Sequence, residues 1–532
     1  MQIKIKDILI KSSVFPIIFA ALDFRWALLL SFLVLTFYKD LIGFITKLKP
    51  MPVMDLCTFF TSTNTNSNIM SVIYLEPLKT EKARQRISEL MAKLPKMRYS
   101  IVDILGDYYY KELPQKGLID VIFKELPKSE WLKNDDEINK YIQQTINIPF
   151  DFSRPQFQLI WQENYQNKFS VLIWKQHHSF CDGASIVSFI NSTAEKYDID
   201  ALIPIKRISF WQKLFLRLSI PISFVNLFFS ALSTRPKINP LHDGKRQLSG
   251  NRLCALGKFY EFSDVKQCAR AQKITINDLI TSCLSSSIKE YFVSKGDSRS
   301  DSINLVIPAN IRFEHYKSLE ELKLENKFAV VPLKIPLIED INKSMKEIPK
   351  ATKKLKTSFR DVYSTYFLTK LATKYFPSFF CQWYVNYTSQ AFTMAFSNVP
   401  GILKPIYFKG AQHLRAQNYV QANGHCGMTV CIFTFVDKVR ITVNVDDTIM
   451  QEPEVIIKLI EKYLDQCMSI SGIQPNFENF EDSDGQEQIM TSPQQNDIKN
   501  SNNNQNSDYV LSTDTSIPNT PTKENSRFSS VK

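Results

Sequence analysis

Two adjacent histidines followed by an aspartate and a glycine are the residues in this chain whose types and spacing best suit chemistry. They stand in the segment HHSFCDG at residues 177–183, which has the pattern HHxxxDG. The 532 residues include only six histidines, so an adjacent pair is a specific feature. An imidazole titrates near neutral pH and can take a proton from a hydroxyl group and later return one. The segment therefore indicates general acid–base catalysis.

The residues on either side of this segment predict the elements that position it. The apolar run Phe169–Trp174 is typical of a buried strand, and Ala184–Tyr197 has the pattern of a helix. The histidines would then stand at a strand end that opens onto a loop, where a substrate can reach them.

Residues 54 to about 468 predict a globular α/β protein, and the length predicts two or three domains. Start signals and periodicity predict helices over Thr80–Leu94, Thr275–Phe292 and Glu454–Met468. The predicted strands are Asn304–Ile307, Ala329–Ile335, Met394–Asn398, and the pair Met428–Phe435 and Val439–Val445.

The motif content argues against several kinds of site. No GxGxxG or GxxxxGK[ST] pattern occurs, so we expect neither a bound dinucleotide nor a P-loop. The nine cysteines form no CxxC pair, which predicts reduced thiols in a cytosol-facing protein. The remaining histidines show no metal-ligand spacing, so no metal is expected. They are His242, His315, His413 and His425.

The net charge of +12 is unevenly distributed. Residues 473–532 contain nine acidic and four basic side chains, so the rest of the chain is more basic than the total. A basic body suits an anionic membrane or a phosphate-bearing substrate such as coenzyme A. Nucleic acid is not expected as a partner, because no RNP-type or zinc-finger pattern occurs. Residues 471–532 are rich in Asn, Gln, Ser, Thr and Asp, which predicts a disordered tail.

The N-terminal segment, residues 1–50, predicts membrane association. Its apolar runs Val14–Leu22 and Trp26–Tyr38 are separated by Asp23 and Arg25, with lysines on both outer sides. The runs fit one imperfect spanning helix, or a hairpin that enters the membrane and returns. A secretory signal peptide fits less well, because no small-residue cleavage site follows.

A second apolar run, Phe210–Leu232, contains Lys213, Arg217 and Pro221. Two basic residues four apart on an apolar helix favour a helix that lies on a membrane surface. A buried linker helix between domains is the alternative.

Several segments resemble a known family. HHxxxDG itself is common to coenzyme A-dependent acyltransferases and peptide-synthetase condensation domains. The other segments, in chain order, resemble motifs of the wax ester synthase/diacylglycerol acyltransferase (WS/DGAT) family. They are PVMDL at 52–56, FDFSRP at 150–155, TIND at 275–278, VIPANIR at 306–312 and SNVPG at 397–401. Two departures concern substrate choice: Ile402 stands where the family usually has a proline, and the interior of HHxxxDG is Ser-Phe-Cys.

The resemblance implies an α/β fold of two coenzyme A-dependent-acyltransferase-like halves, each with a mixed sheet, and an active-site channel between them. It implies acyl transfer from acyl-CoA to a long-chain alcohol or to diacylglycerol, with acyl-CoA as substrate and no cofactor. The expected organisation is a membrane-associated segment at 1–50, an N-terminal half at 51–205, an apolar linker at 206–250, a C-terminal half at 251–470 and the tail.

The resemblance also assigns roles to residues of the HHxxxDG segment. His178 would be the general base that deprotonates the acceptor hydroxyl, and His177 a neighbour that shapes the loop. Asp182 could act as a second carboxylate, but the family pattern has it pair with an arginine that holds the loop, and Arg98 is the candidate. Gly183 would allow a tight turn where a Cβ would clash.

Three more polar residues are implied to lie near the channel. Asn277 and Asp278 begin a helix, where they could cap it or help to stabilise an oxyanion. Asn398, in the SNVPG segment, would border the channel.

Other functions stay open at this point. The acceptor could be a sterol or an isoprenoid alcohol, the domain could act on carrier-bound substrates as condensation domains do, or the chain could be a non-catalytic lipid-binding or droplet-coating protein. The expected location is the membrane of the endoplasmic reticulum or a lipid droplet, with the catalytic body facing the cytosol. The sequence indicates no oligomeric state.

Overall fold

The computed structural model describes residues 13–60, 67–205, 207–225, 235–357, 359–422 and 424–474. The predicted tail from residue 475 onward, and the last part of the apolar run 210–232, lie outside these ranges. Most of the described chain forms two six-stranded sheets covered by helices.

The first sheet has the strand order β12-β13-β2-β7-β6-β5. Its strands pair antiparallel except β5 with β6. Helices α4, α5, α6 and α7 come from the same part of the chain as strands β2 to β7. The elements are β2 (Asn68–Leu75), α4 (Thr80–Lys93), α5 (Ile119–Ile122), β5 (Phe123–Glu125), α6 (Asp135–Ile146), β6 (Phe157–Tyr165), β7 (Phe169–His177), α7 (Gly183–Thr193), β12 (Tyr407–Phe408) and β13 (Ala411–Tyr419).

The second sheet has the order β10-β9-β11-β14-β15-β8, and β11 runs parallel to both of its neighbours. Both sheets are therefore mixed, as the family resemblance implied. The elements are β8 (Arg252–Glu261), α9 (Phe262–Ala271), α10 (Ile276–Ser294), β9 (Ser302–Asn310), β10 (Phe328–Pro336), α11 (Ile341–Thr357), α12 (Phe359–Tyr375), α13 (Ser378–Ser389), β11 (Met394–Pro400), β14 (Met428–Phe435), β15 (Lys438–Asp446) and α14 (Glu454–Ile470).

The two sheets do not correspond to two separate stretches of sequence. Residues 411–419, within the range expected for the C-terminal half, form β13 and pair with β2 of the first sheet. Across the junction, Arg440 on β15 hydrogen-bonds Gln417 on β13 and pairs with Asp135 on α6, with Nη2 to Oδ2 at 2.7 Å. A boundary at residue 250 therefore does not separate the two sheets, because β12 and β13 lie after it in sequence and belong to the first sheet.

A small third sheet joins the N-terminal segment to the body, with the order β1-β4-β3. It is formed by β1 (Lys49–Pro50), β3 (Tyr99–Ile104) and β4 (Asp107–Glu112). The chain reaches it through helices α1 (Val14–Ala21) and α2 (Phe24–Thr46), and α3 (Val53–Phe60) follows. By length and composition, α2 could cross a membrane.

The two N-terminal apolar runs do not form one helix. Asp23 is extended and its side chain caps α2 by accepting from the Arg25 backbone N–H at 3.0 Å. A helix break at this point excludes a single helix over both runs. The second apolar run begins with α8 (Phe210–Leu218), whose start at Ser209 is a capping box with Gln212.

Candidate active site

The HHxxxDG segment forms the loop between β7 and α7, as the sequence predicted. His177 is the last residue of β7, and the backbone N–H of His178 donates to the carbonyl of Ser67 at 2.9 Å. The chain then turns, with the Phe180 N–H donating to the His177 carbonyl at 2.9 Å. The loop lies where the first sheet meets the start of β10 in the second.

The imidazole of His178 contacts one amide side chain from the other half of the protein. Its Nδ1 lies 3.2 Å from Oδ1 of Asn326, and the Asn326 Nδ2 donates to the His178 carbonyl at 2.9 Å. An amide oxygen accepts and cannot donate, so this contact requires the proton on Nδ1. Nε2 is then the nitrogen with a free lone pair, the form that a general base needs. The ring of Phe328 lies beside the imidazole, with the centroids 5.4 Å apart.

The orientation of the Asn326 amide is determined by Asp55 on α3. Oδ1 of Asp55 accepts from Nδ2 of Asn326 at 2.9 Å and from its backbone N–H at 3.3 Å. Since only the NH₂ group can donate to a carboxylate, the amide oxygen must face His178. His178, Asn326 and Asp55 thus form a continuous hydrogen-bonded chain, with Asn326 and Asp55 buried.

The other oxygen of Asp55 is held by two donors. Lys96 Nζ lies 2.5 Å from Oδ2, and the Tyr110 hydroxyl donates to the same atom at 3.1 Å. Burial raises the pKa of Asp55, and the charge and hydrogen bond of Lys96 oppose that rise. The lysine therefore provides the positive charge that a buried carboxylate requires.

Burial also lowers the pKa of His178, although Asp182, Asn326 and Asp55 partly oppose the effect. The imidazole is consequently neutral at physiological pH and available to accept a proton.

His177 has a different environment from its neighbour. Its Nδ1 lies 2.8 Å from the Ser179 hydroxyl and accepts the Ser179 backbone N–H at 3.1 Å. The ring packs against Phe59, and burial lowers the pKa of His177 to about 3. These contacts fit the expected role in shaping the loop.

Asp182 forms a buried ion pair with Arg312. Oδ2 of Asp182 accepts from Nη1 of Arg312 at 2.8 Å and from the Lys327 N–H at 2.7 Å. Its Oδ1 caps α7 by accepting from the Ser185 N–H at 2.9 Å. Burial alone would raise the pKa of Asp182, but the charge of Arg312 and these hydrogen bonds hold it below its usual range.

The prediction that Arg98 is the partner of Asp182 was wrong. Arg98 pairs with Glu112 on β4 and donates to the carbonyl of Met91 at 2.5 Å. Arg98 directly precedes β3, so its ion pair with Glu112 links two strands of the three-stranded sheet. The arginine that holds the loop comes from the end of the VIPANIR segment, 130 residues after Asp182.

Gly183 is the first residue of α7 and has no left-handed backbone angle. A Cβ at this position would lie 3.1 Å from Cγ2 of Val399 and 3.2 Å from its Cγ1. The need for glycine therefore comes from close packing of α7 against the SNVPG segment rather than from a tight turn.

The structure brings Asn277 and Asn398 together. The Asn398 amide donates to Oδ1 of Asn277, which joins the start of α10 to β11. Oδ1 of Asn398 is buried and has no hydrogen-bond partner among the described residues. This pair connects to the HHxxxDG loop through Val399, which packs against Gly183.

Asp278 has a capping role. Its Oδ2 accepts from the Thr275 hydroxyl at 2.8 Å, and the Asp278 N–H donates back to that hydroxyl at 3.2 Å. Its Oδ1 accepts from Thr352 on α11 at 2.5 Å. Of the two roles considered for this residue, helix capping is the one its contacts satisfy.

Sequence reasoning missed Asn326, and it gave Asp55, Lys96 and Arg312 no role. Two of these had a signal, since Asp55 and Arg312 lie within segments that resemble the family. Asn326 lies in a polar stretch, KLENK at 323–327, with no periodicity or motif to mark it.

Comparison with known proteins finds similarity to one family. Residues 325–467 match the model of the WS/DGAT C-terminal domain. The chain is 23% identical over 394 residues to wax ester synthase/diacylglycerol acyltransferase 1 of Arabidopsis thaliana, covering 64% of this chain and 78% of that protein. These matches make the chain similar to the WS/DGAT family. A second Arabidopsis WS/DGAT protein, number 11, is 23% identical over 369 residues, with 60% and 75% covered.

Solved structures with the same fold include a WS/DGAT protein. The WS/DGAT protein from Marinobacter aquaeolei VT8 aligns with 80% of this chain and all of its own, at a TM-score of 0.57 and 14% identity. The first condensation domain of the calcium-dependent antibiotic synthetase covers 80% of this chain and 96% of its own, at a TM-score of 0.55 and 10% identity. The chain therefore has the two-lobed fold that these solved structures share.

Proposed function

We propose that the protein is an acyl-CoA-dependent O-acyltransferase that makes wax esters from long-chain alcohols, triacylglycerol from diacylglycerol, or both. The relatives named for these activities support the substrate class. The observation that carries the chemistry is the contact of His178 Nδ1 with the Asn326 amide oxygen, which leaves Nε2 as a base.

The proposed reaction needs one proton acceptor and no covalent enzyme intermediate. Nε2 of His178 takes the proton of the acceptor hydroxyl as its oxygen attacks the thioester carbonyl of acyl-CoA. The tetrahedral oxyanion then collapses, the carbon–sulfur bond breaks, and the His178 proton passes to the sulfur of coenzyme A. The products are one ester and one free thiol.

Asn326 and Asp55 act through His178 in this scheme. The amide oxygen of Asn326 accepts a hydrogen bond from Nδ1–H of His178 in both protonation states of the ring. Asp55 holds the Asn326 amide in the orientation that this bond requires. The negative charge of Asp55 also favours the imidazolium that forms during the reaction. We expect no metal or redox cofactor, so dialysis against a chelator should leave the rate unchanged.

We further propose that the enzyme works at a membrane, at the endoplasmic reticulum or a lipid droplet, with its body in the cytosol, where acyl-CoA is made available. The apolar surface of α2 supports membrane contact.

The experiment that tests the function supplies the reconstituted protein with labelled palmitoyl-CoA and, in separate reactions, hexadecanol, diacylglycerol, a sterol or an isoprenoid alcohol. We expect labelled wax ester or triacylglycerol and an equal release of free thiol. Label in the sterol or isoprenoid ester alone would replace the proposed acceptor. Failure to label any ester would favour a non-catalytic lipid-binding protein.

A further inference from the structure

A row of aromatic side chains runs along one exposed face at the end of α12 and along α13. Its ring centroids are separated by 5.0 Å from Phe376 to Phe380, 5.6 Å from Phe380 to Trp383 and 5.8 Å from Trp383 to Tyr387. Spacings of three and four residues place Phe380, Trp383 and Tyr387 on one face of α13, and Phe376 stands just before that helix. Their exposed fractions range from 37% for Phe380 to 56% for Trp383. A soluble domain rarely leaves so many aromatic rings side by side in water.

The same face continues onto α2. The ring of Tyr375, at the end of α12, stacks on that of Phe32 in α2, with centroids 6.1 Å apart. Helix α2 exposes a large set of apolar side chains. They are Phe24, Trp26, Leu28, Leu29, Leu30, Phe32, Leu33, Phe37, Leu41, Phe44 and Ile45.

Helix α8 and the helical residues 220–225 extend the face on the other side of α12. Helix α8 packs against α12, and the Ser223 hydroxyl donates to Oδ1 of Asp361 at 3.3 Å. The exposed apolar side chains here are Phe210, Trp211, Phe215, Leu218, Ile222, Phe224 and Val225. Three segments that are distant in sequence thus form one apolar surface.

The C-terminal part of α2 is attached to the body and is not free to enter a membrane. The Tyr38 hydroxyl donates to Asp107 at 2.7 Å, and Lys39 forms an ion pair with the same carboxylate at 3.2 Å. Only Phe24–Phe37 extends beyond this attachment, which is about 21 Å of helix at 1.5 Å per residue. The hydrocarbon core of a bilayer is about 30 Å thick, so this part of α2 is too short to cross it.

We propose that the Phe24–Phe37 part of α2, α8 and α13 together insert into the cytosol-facing leaflet of a phospholipid bilayer without crossing it. The composition fits that occupant, because Trp and Tyr favour the headgroup region. Between Phe359 and Ser389 there are three basic residues and one acidic residue, which favours anionic lipid. Two of the basic residues, Lys370 and Lys374, lie over the rings of Tyr366 and Tyr375.

The position of this face relates it to the proposed active site, and that relation rests on the proposed function. Helix α12 packs against α3, which carries Asp55, and against β10, which begins with Phe328 beside His178. The proposed membrane face is therefore carried by a helix that packs beside the elements of the His178 site.

The surface is tested by vesicle flotation of the full chain, using phosphatidylcholine vesicles with and without phosphatidylserine. The variant replaces Phe380, Trp383 and Tyr387 by serine, and the control replaces two exposed residues elsewhere, Tyr407 and Val293, by serine. We expect wild type to bind anionic vesicles more tightly than neutral ones, the triple variant to lose about tenfold or more of its affinity for both, and the control to keep its affinity. Equal affinity of the triple variant and wild type would overturn the proposal. So would a change of oligomeric state at unchanged vesicle affinity, which would make the face an interface between copies. Because binding is measured without acyl-CoA, the result is independent of whether the protein transfers acyl groups.

The depth of insertion is tested in microsomes with an Asn-X-Thr glycosylation acceptor fused to one terminus or the other. Insertion into the cytosolic leaflet predicts that neither fusion is glycosylated, while a soluble secreted reporter in the same microsomes is. Glycosylation of either terminus would show that the chain crosses the membrane or faces the lumen, and would overturn the one-leaflet arrangement.

Discussion

Arg312 and Asp182 form an ion pair that joins the HHxxxDG loop of one half of the protein to the segment after β9 in the other half. The guanidinium reaches from the end of β9 to the first residue before α7, and both side chains are less than a tenth exposed. Nη2 of Arg312 also donates to the Ser185 hydroxyl at 2.9 Å and to the Glu325 carbonyl at 3.0 Å. Since Glu325 directly precedes Asn326, the pair fixes both the loop that carries His178 and the segment that orients it.

Replacing Arg312 by Met should reduce the free energy of unfolding by about 3–5 kcal/mol, because Asp182 is left buried without its counter-charge. The measurement is urea denaturation at neutral pH. The double variant with Asp182→Asn, which keeps a cap for α7, should lose less than Arg312→Met alone. Arg98→Met is the matched control and should cost on the order of 1 kcal/mol, because Arg98 pairs with a solvent-exposed glutamate. Equal losses for Arg312→Met and Arg98→Met would contradict this account.

The stability that Asp182 contributes should depend on pH in a defined direction. Its pKa in the folded protein lies below the ordinary value of 3.8, so the unfolded chain binds the proton more readily. This contribution is present in full above the unfolded pKa and disappears as the pH falls through the folded one. Urea denaturation between pH 7 and pH 3 should therefore show a steeper acid loss for wild type than for Arg312→Met/Asp182→Asn. Parallel curves would show that the pair contributes nothing to the acid sensitivity.

The pH profile of catalysis should report the burial of His178. The neutral imidazole is the active form, so kcat/KM should be constant at high pH and fall as the pH drops through the pKa of the free enzyme. Burial lowers that pKa below the ordinary value of 6.5, so the midpoint of the acid limb should lie below 6.5. An acid limb centred above 6.5 would show that His178 is not the titrating base, or that its surroundings favour the charged form.

Asn326→Ala should lower kcat, because the amide no longer fixes the protonated nitrogen of His178. It should also move the acid limb to lower pH, since the hydrogen bond that His178 donates to Asn326 raises the His178 pKa. We expect a loss of about 10-fold or more, less than for removal of the base itself. The control is Asn164→Ala, at a half-buried residue near the end of β6 whose amide donates to Oδ1 of Asn167 at 2.9 Å. A purely structural role for Asn326 would reduce the amount of folded enzyme without moving the acid limb.

Gly183→Ala should destabilise the protein through its contact with Val399, and Val399→Ala should relieve part of that loss. The added Cβ would stand 3.1 Å from Val399, which is closer than ordinary van der Waals contact. A double-mutant cycle measured by thermal unfolding should give a coupling free energy of roughly 0.5–3 kcal/mol. If the two losses of stability are strictly additive, the strain of Gly183→Ala does not come from its contact with Val399.

The local structure around the site was predictable because it depends on residues near one another in sequence. The strand before the motif and the helix after it were confirmed as β7 and α7, although α7 ends at Thr193 rather than Tyr197. The hairpin at 428–445 was also confirmed, as β14 and β15. Apolar runs, caps and turns carry that information directly.

The long-range relationships were not predictable from the same signals. The sequence placed Arg98 with Asp182, yet the true partner is 130 residues away, and charge alone does not distinguish one arginine from another. Strand β13 pairs with β2 across more than 300 residues, a choice that no local pattern encodes. No sequence pattern marks Asn326, because its role depends on the position of its segment in the fold, which Arg312 fixes through the Glu325 carbonyl.

The most direct test of the account is the rate of ester formation by His178→Ala. Labelled palmitoyl-CoA and the preferred acceptor are supplied to this variant, to wild type and to His425→Ala, which removes a histidine far from the motif in sequence. Circular dichroism and thermal unfolding establish that all three are folded. We expect a fall in kcat of about 10²–10⁴-fold for His178→Ala and little change for His425→Ala. Full activity in a folded His178→Ala protein would contradict the assignment of His178 as the general base.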